Sequence, residues 1–219
     1  MKYPLILISI ITLFFISCQN KEMQEENAKL KEQVSNLKQT VELTKGMNQQ
    51  IKFLKKQLTN VKAKIVTNYG DIELAFYNNE APIHCFNFIT RAESGFYDNT
   101  QFHRVISGFM IQGGDPNTKT NNKASYGGGG PLIHIPHEFN SLPHKKGVLS
   151  MARVSDVNAG AGSQFFIMHE ENPGLDNKYT VFGYVTKGQE IVDKIATTKT
   201  NKMNLPVKAV RIKTIQVSK

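Results

Sequence analysis

The chain has 219 residues, 40% hydrophobic and 21% charged, with 27 Lys and Arg against 18 Asp and Glu for a formal net charge of +9. That is the composition of a folded protein with room for one good-sized domain and appendages, and it excludes collagen-like, mucin-like and mainly disordered chains. The basic balance raises nucleic acid as a partner, but residues 18–62 and the much longer 63–219 carry the same +4 each, so the charge is spread and no nucleic-acid surface is expected.

Residues 3–17 contain no charge and a single proline, Pro4. A run of that length suits the core of a signal peptide and falls short of the roughly 20 residues of a membrane-spanning helix. It ends Phe14-Phe15-Ile16-Ser17-Cys18, a small residue directly before a cysteine. This resembles the lipobox of bacterial lipoproteins, with Phe15 where that family usually has Leu. The resemblance implies a signal peptide over 1–17, lipidation of Cys18, and a chain held in the cell envelope by its lipid, facing the periplasm or the cell surface. Gln19-Asn20-Lys21-Glu22 and Glu25-Glu26 loosely resemble the acidic export signal of surface lipoproteins, a composition that a solvated linker also produces.

Residues 18–62 read as a helical, coiled-coil-like tether. From Met23 to Val61 there is no proline, and Lys, Glu and Gln, all good helix formers, dominate. Met23, Asn27, Leu30, Val34, Leu37, Val41 and Thr44 fall on alternating steps of four and three residues, the heptad pattern. Met47, Ile51, Leu54, Leu58 and Val61 repeat those steps out of phase, because the step from Thr44 to Met47 is a second three, with Gly46 inside it. Two helical stretches with a weak joint are expected. They serve either homo-oligomerisation or as a spacer.

Residues 63–219 change to short alternating runs. Strands are expected at 63–67, 71–76, 102–106, 109–113, 131–135, 147–152, 164–168, 179–185 and 209–217. A helix is expected over 83–94, opened by Pro82 and stopped by Gly95, and a short one over 189–195. Many short strands and two helices imply a mostly antiparallel barrel.

One segment is specific: Phe102-His103-Arg104-Val105-Ile106-Ser107-Gly108-Phe109-Met110-Ile111-Gln112-Gly113-Gly114-Asp115-Pro116. It is followed in order by Gly147-Val148-Leu149-Ser150-Met151-Ala152, by Gly162-Ser163-Gln164-Phe165-Phe166-Ile167, and by Leu175-Asp176-Asn177-Lys178-Tyr179-Thr180-Val181-Phe182-Gly183. These colinear motifs closely resemble those of the cyclophilins, peptidyl-prolyl cis-trans isomerases. The resemblance implies a mostly-β fold, a closed eight-stranded antiparallel barrel capped by two helices. It also implies rotation of X-Pro bonds in unfolded or extended polypeptides, in service of folding in the envelope. A non-catalytic module binding proline-containing peptides on the same fold is the alternative.

The barrier to that rotation, about 18–20 kcal/mol, comes from amide conjugation. No bond to protein and no proton transfer is needed, so no metal and no cofactor is expected. What helps is a group that favours the twisted amide and a surface that grips the ring. Arg104 suits the first task, since its guanidinium can hydrogen-bond the lone pair that localises on the prolyl nitrogen. The resemblance assigns Phe109, Met110, Phe166 and Leu175 to the apolar pocket. Phe109-Met110 and Phe165-Phe166 agree with this as adjacent strand pairs that send one member to each face. Gln112, on the face of Met110, together with Gln164, Ala152 and Arg153, is expected to bind substrate backbone. His103 is placed at the site edge, and Tyr179 near the prolyl carbonyl. Gly174 stands where eukaryotic members carry a bulky aromatic that helps bind the inhibitor ciclosporin. The loop from Arg153 to Gly162, slightly longer than the common eukaryotic form, borders the pocket beside the proline site.

The remaining features have plainer readings. Gly127-Gly128-Gly129-Gly130 lacks the lysine and hydroxyl of a phosphate loop. His134 and His137 flank an extended segment whose three-residue step sends them to opposite faces. Cys85 reads as a small buried hydrophobe, unpaired with Cys18.

Overall fold

Gly46 does not interrupt the helix. Helix α1 runs Pro4–Gln57 in the computed structural model, which describes the backbone of residues 4–219 and the side chains of residues 23–219. One glycine costs a helix about 1 kcal/mol relative to alanine, and the neighbouring Lys, Glu, Gln and Leu carry the helix through it. The expected joint is therefore absent. The side chains of the expected signal peptide and of Cys18 lie outside the described residues. Among the described residues, no helix is long and apolar enough to cross a membrane.

The chain divides into two units, Met1–Gln50 and Ile51–Lys219. In the first, Met23, Leu30, Val34, Leu37 and Val41 are all exposed. In the second, Leu58 and Val61 belong to the domain core. The second heptad set therefore does not continue a seam. Its last members are the first residues of the folded domain.

The domain is built from β1 (Lys62–Thr67), β2 (Asp71–Phe76), α2 (Pro82–Glu93), β3 (Arg104–Ile106), β4 (Met110–Gly113), β5 (Val148–Arg153), β6 (Ala161–Met168), β7 (Val181–Lys187), α3 (Gln189–Ala196) and β8 (Ile212–Ser218). The strands form one antiparallel sheet in the order β3-β4-β6-β5-β7-β2-β1-β8. The expected closed barrel is corrected to an open half-barrel. No ladder joins β3 to β8, and the seam holds a single bridge, Gln101 to Arg211. Phe102 N–H donates to the Val210 carbonyl and Ile212 N–H to that of Thr100 beside it. Closure stops there because β3 is only three residues long and Val105 N–H turns instead to the carbonyl of Asn204, in the loop before β8.

The expected strand at 131–135 is also absent, apart from the bridge Ile135 to Ala161. Pro131 and Pro136 bracket it, and neither can donate to a ladder. Helix α2 packs on β6, β7 and β8, and α3 on β2, β3 and β4.

Side-chain alternation gives the sheet two apolar faces. Ile65, Ile72, Leu74, Ile111, Leu149, Phe165, Ile167 and Phe182 fill the inner face with Phe88 of α2. The Phe88 ring lies 5.2 Å from Phe165, edge to face, and 5.5 Å from Phe182. On the outer face, Met110, Val148, Phe166, Met168 and Val181 form a second, smaller cluster. Phe165 and Phe166 divide between the faces as expected. Phe109 and Met110 do not, because Phe109 sits in the turn before β4 and both join the outer cluster. Ile111 supplies the inner residue instead.

Helix α2 begins without a capping side chain of its own, since its N-cap is Ala81. Glu138 caps it from a distant loop: its carboxylate accepts from Ile83 N–H at 3.1 Å and His84 N–H at 2.8 Å, and meets His84 Nδ1 at 2.7 Å. Cys85, also on α2, is buried with its thiol donating to the Phe182 carbonyl at 3.3 Å, and burial pushes its pKa well up.

Candidate active site

Arg104, Gln112, Phe166 and Ser150 are consecutive partners across β3, β4, β6 and β5. Directly opposed residues share a face, so this one row places a cation, an amide, an aromatic ring and a hydroxyl side by side on the outer surface of the sheet. The tight turn from β3 to β4 adds Phe109, and Leu175 and Tyr179 arrive from the segment before β7. The result is a pocket of about 200 Å³ lined by Arg104, Phe109, Met110, Gln112, Ala152, Arg153, Phe166, Leu175 and Tyr179. Its floor is apolar: Met110 and Phe166 are nearly fully buried, with the Phe166 and Tyr179 rings 5.7 Å apart at right angles.

Arg104 stands at the rim, half-buried. One guanidinium N–H donates to Gln112 Oε1 at 3.2 Å and the same nitrogen approaches Met110 Sδ at 3.8 Å, while Cζ lies 5.9 Å from the centre of the Phe109 ring. Its remaining donors are available to a ligand. Gln112 donates in turn to Gln164 Oε1 at 3.0 Å, and Gln164 donates to the carbonyls of Gly127 and Gly129 at 2.9 and 2.8 Å. A polar chain thus connects the arginine to the glycine-rich turn.

That turn walls a neighbouring pocket of about 340 Å³, which shares Gln112, Ala152 and Arg153 with the first and includes Gln164. Glycine is required here, since a Cβ on Gly129 would strike the Asp115 carboxylate, which also accepts from Gly127 N–H. Arg153 forms the partition. Its Nε–H donates to the Lys178 carbonyl at 2.9 Å and its Cζ lies 4.7 Å over the Tyr179 ring.

Of the residues expected to bind or turn the substrate, His103 alone lines neither pocket. It is buried beside Gly127, with Nδ1 unpartnered. His134 bonds the Ala159 carbonyl at 2.8 Å, and His137 stacks on Phe139.

The sequence reading missed a polar group beneath the pocket. His144 Nδ1 lies 2.9 Å from Asp176 Oδ1, its Nε2 lies 3.0 Å from Ser150 Oγ, and Ser150 donates to the Thr180 carbonyl at 3.0 Å. Asp176 also accepts from His144 N–H at 2.8 Å. The constellation has the order of a hydrolytic triad, but Ser150 is completely buried, so no substrate carbonyl reaches it. It works as a prop: the His144 ring stacks on the underside of Phe166 with centroids 6.1 Å apart. Asp176 beside Leu175 was the available signal, but no local pattern connects it to His144.

Burial holds the His144 pKa below its ordinary 6.5, with the Asp176 carboxylate opposing. Burial does the same to His103, opposed by Asp115. Asp176 is held below its ordinary 3.8 by the hydrogen bond from His144 N–H and then by the ring. All three folded values lie below the unfolded ones. The stability they confer is complete above about pH 6.5 for the histidines and lost as pH falls through their folded values, with a further loss below about 3.8 from Asp176. The urea midpoint is therefore expected to be level between about pH 7 and 8 and to fall on acidification, less steeply in His144→Asn. A wild-type midpoint that rises between about pH 7 and 5 would contradict this assignment.

Comparison with known proteins bears on this site. The family model for cyclophilin type peptidyl-prolyl cis-trans isomerase/CLD matches residues 62–217. A peptidyl-prolyl cis-trans isomerase of Acinetobacter baylyi is 41% identical over 170 residues, covering 73% of this chain and 87% of that protein. A peptidyl-prolyl cis-trans isomerase-like 2 of Rhizopus delemar is 38% identical over 80% of this chain, which spans only 32% of that longer protein. The chain is also similar, with a TM-score of 0.66 and 34% identity, to a Cryptosporidium parvum cyclophilin type isomerase crystallised in the presence of the dipeptide Ala-Pro, covering 72% of this chain and 99% of that one.

Proposed function

The chain belongs to the cyclophilin-type peptidyl-prolyl cis-trans isomerases, and from that premise we propose how its outer-face pocket turns an X-Pro bond and where it does so. The observation that carries the reading is the Arg104 guanidinium at the rim of a ring-sized apolar pocket. The proline ring sits on Phe109, Met110, Phe166 and Leu175, the surface gathered in one place. Held there, it leaves the acyl side of the bond to turn. As conjugation is lost, the nitrogen lone pair localises and pyramidalises, and Arg104 donates to it. That interaction is absent in both planar states, so it lowers the barrier and not merely the energy of the bound peptide. Gln112, Arg153 and the main chain of Ala152 hold the flanking peptide, Gln164 keeps the glycine turn in place, and the Tyr179 hydroxyl serves the prolyl carbonyl. An exchange assay on a short Ala-Pro peptide tests this: full-length chain should accelerate interconversion that otherwise takes tens to hundreds of seconds, and an inert chain would leave only a peptide-binding module.

The reading extends to location. The lipobox-like Cys18 supports a lipid anchor, the intervening helix a stalk through which copies associate, and the whole a folding helper in the bacterial envelope. Cys18→Ala should move the protein from the membrane fraction to the soluble one; a variant that stays bound would contradict lipidation.

Gly174 lies in a short turn, Pro173–Leu175, whose last residue lines the pocket. With no side chain there, inhibition by ciclosporin is expected to be weaker than nanomolar, and Gly174→Trp to tighten it about tenfold, in line with partial burial of one aromatic. A nanomolar constant for the wild type would contradict the expectation.

A further inference from the structure

We propose that residues 23–44 of two copies of this chain pair as a parallel, in-register, two-stranded coiled coil. The inference rests on the self-association read above and specifies its partner, direction and register. Met23, Leu30, Val34, Leu37 and Val41 form a stripe on α1 in which each residue is 45–64% exposed. With Asn27, Val34 and Val41 at heptad position a, and Met23, Leu30, Leu37 and Thr44 at d, the chemistry is selective. β-Branched residues at a with leucine at d favour two strands, and one buried asparagine at a fixes register by pairing with its own copy.

The surface of α1 carries a hollow bordered by Asn27, Leu30, Lys31 and Val34, which are consecutive a, d, e and a positions. Four such residues make the hole that receives a d-position knob from a facing helix. Leu30 of the second copy fits it.

Charge sets the direction. In a parallel pair, position g of one helix meets e of the next heptad on the other, which brings Glu26 to Lys31. In an antiparallel pair, e meets e, and Lys31 would face Lys38 twice. The e positions from Lys31 onward are all lysine, at 31, 38 and 45, so antiparallel pairing is repelled along the seam.

The coil has a built-in end. The heptad phase breaks after Thr44, and Leu58 and Val61 are already taken by the domain core. About three heptads, roughly 33 Å, remain for the pair. A parallel pair sends both lipid anchors to one membrane, doubling the hydrophobic hold. It also presents two isomerase sites to one client, raising the local concentration of the second for a chain with several prolines.

Cysteine crosslinking of full-length protein in membranes tests the arrangement, with Cys85 buried and the wild type as baseline. Leu30→Cys is expected to give a disulfide-linked dimer under mild oxidation, because in-register d positions bring the two Cα atoms within bridging distance, and Gln39→Cys, on the opposite face, is expected to stay at baseline. Baseline signal from Leu30→Cys would overturn the proposal. If co-expressed Leu30→Cys and Val41→Cys copies, a d and an a position, then crosslink to each other, the pair is antiparallel, and only direction and register fail. If no combination crosslinks and the protein sediments as a monomer, the self-association reading fails as well. Asn27→Val supplies a second reading: loss of the polar pair should convert a single dimer species into a mixture with larger assemblies, and an unchanged, purely monomeric profile in both proteins would overturn the coil.

Discussion

Arg104→Ala is expected to lower kcat/KM for X-Pro isomerisation by about 10²–10³-fold, the equivalent of about 2.7–4 kcal/mol of transition-state stabilisation, as for loss of one preorganised donor in other enzymes. Stability should hardly change. The side chain is half-buried at a rim, and its internal contacts are one hydrogen bond to Gln112, one weak contact to Met110 and a distant ring; losses of that kind stay near 0.5 kcal/mol. Arg104→Lys keeps the charge but replaces a planar fork by a shorter point donor, and should recover only part of the rate. Steady-state kinetics beside a thermal melt check both halves. A kcat/KM within about threefold of wild type, or a melt that collapses with the rate, would remove Arg104 from the role given to it.

Glu138→Ala should do the reverse. Among the described residues, the carboxylate makes the only side-chain cap that α2 receives at its N-terminus, and it also meets the fully buried His84. Removing it leaves two helix N–H groups and an imidazole without their partner, in a place where the Glu138 side chain itself is 14% exposed. The expected cost is about 3 kcal/mol, of the size seen when one member of a buried charged pair is deleted. For a domain of this size that lowers the thermal midpoint by about 6–12 °C. Activity well below the midpoint should stay near wild type, because Glu138 lines neither pocket. Glu138→Gln, which keeps one acceptor, should fall between. A midpoint shift under about 2 °C for the alanine variant would show that the helix end is satisfied some other way.

These opposite outcomes follow from how the fold is written. The site was legible because its residues sit on consecutive short strands: alternation places Arg104, Met110, Gln112 and Phe166 on one face once pairing is known, and the motifs around them are dense enough to name the family. Helices α2 and α3 were legible from Pro82, Gly95 and the apolar spacing of residues 189–195. What was not legible depends on partners far apart in the chain. The open seam arises because the loop holding Asn204 bonds Val105 where β8 could have paired. The prop beneath Phe166 joins His144 to Asp176 across 32 positions. Glu138 reaches α2 across 55. Phe109 misled because the alternation rule was applied to a residue that lies in a turn. Gly46 misled because a single glycine does not outweigh a run of strong helix formers; Met47 beyond it is still exposed, and the apolar residues reach the domain core only at Leu58 and Val61.

The role of Arg104 in the rotation itself is read by nuclear magnetic resonance exchange spectroscopy on a short Ala-Pro peptide saturating wild-type and Arg104→Ala protein in turn, which gives affinity and the bound-state exchange rate separately. The variant should bind within a few-fold of wild type, since the ring pocket is intact, while exchange on the protein slows by about two orders of magnitude or more. Equal bound-state exchange rates, with the whole deficit appearing as lost affinity, would contradict it and make Arg104 a binding residue alone.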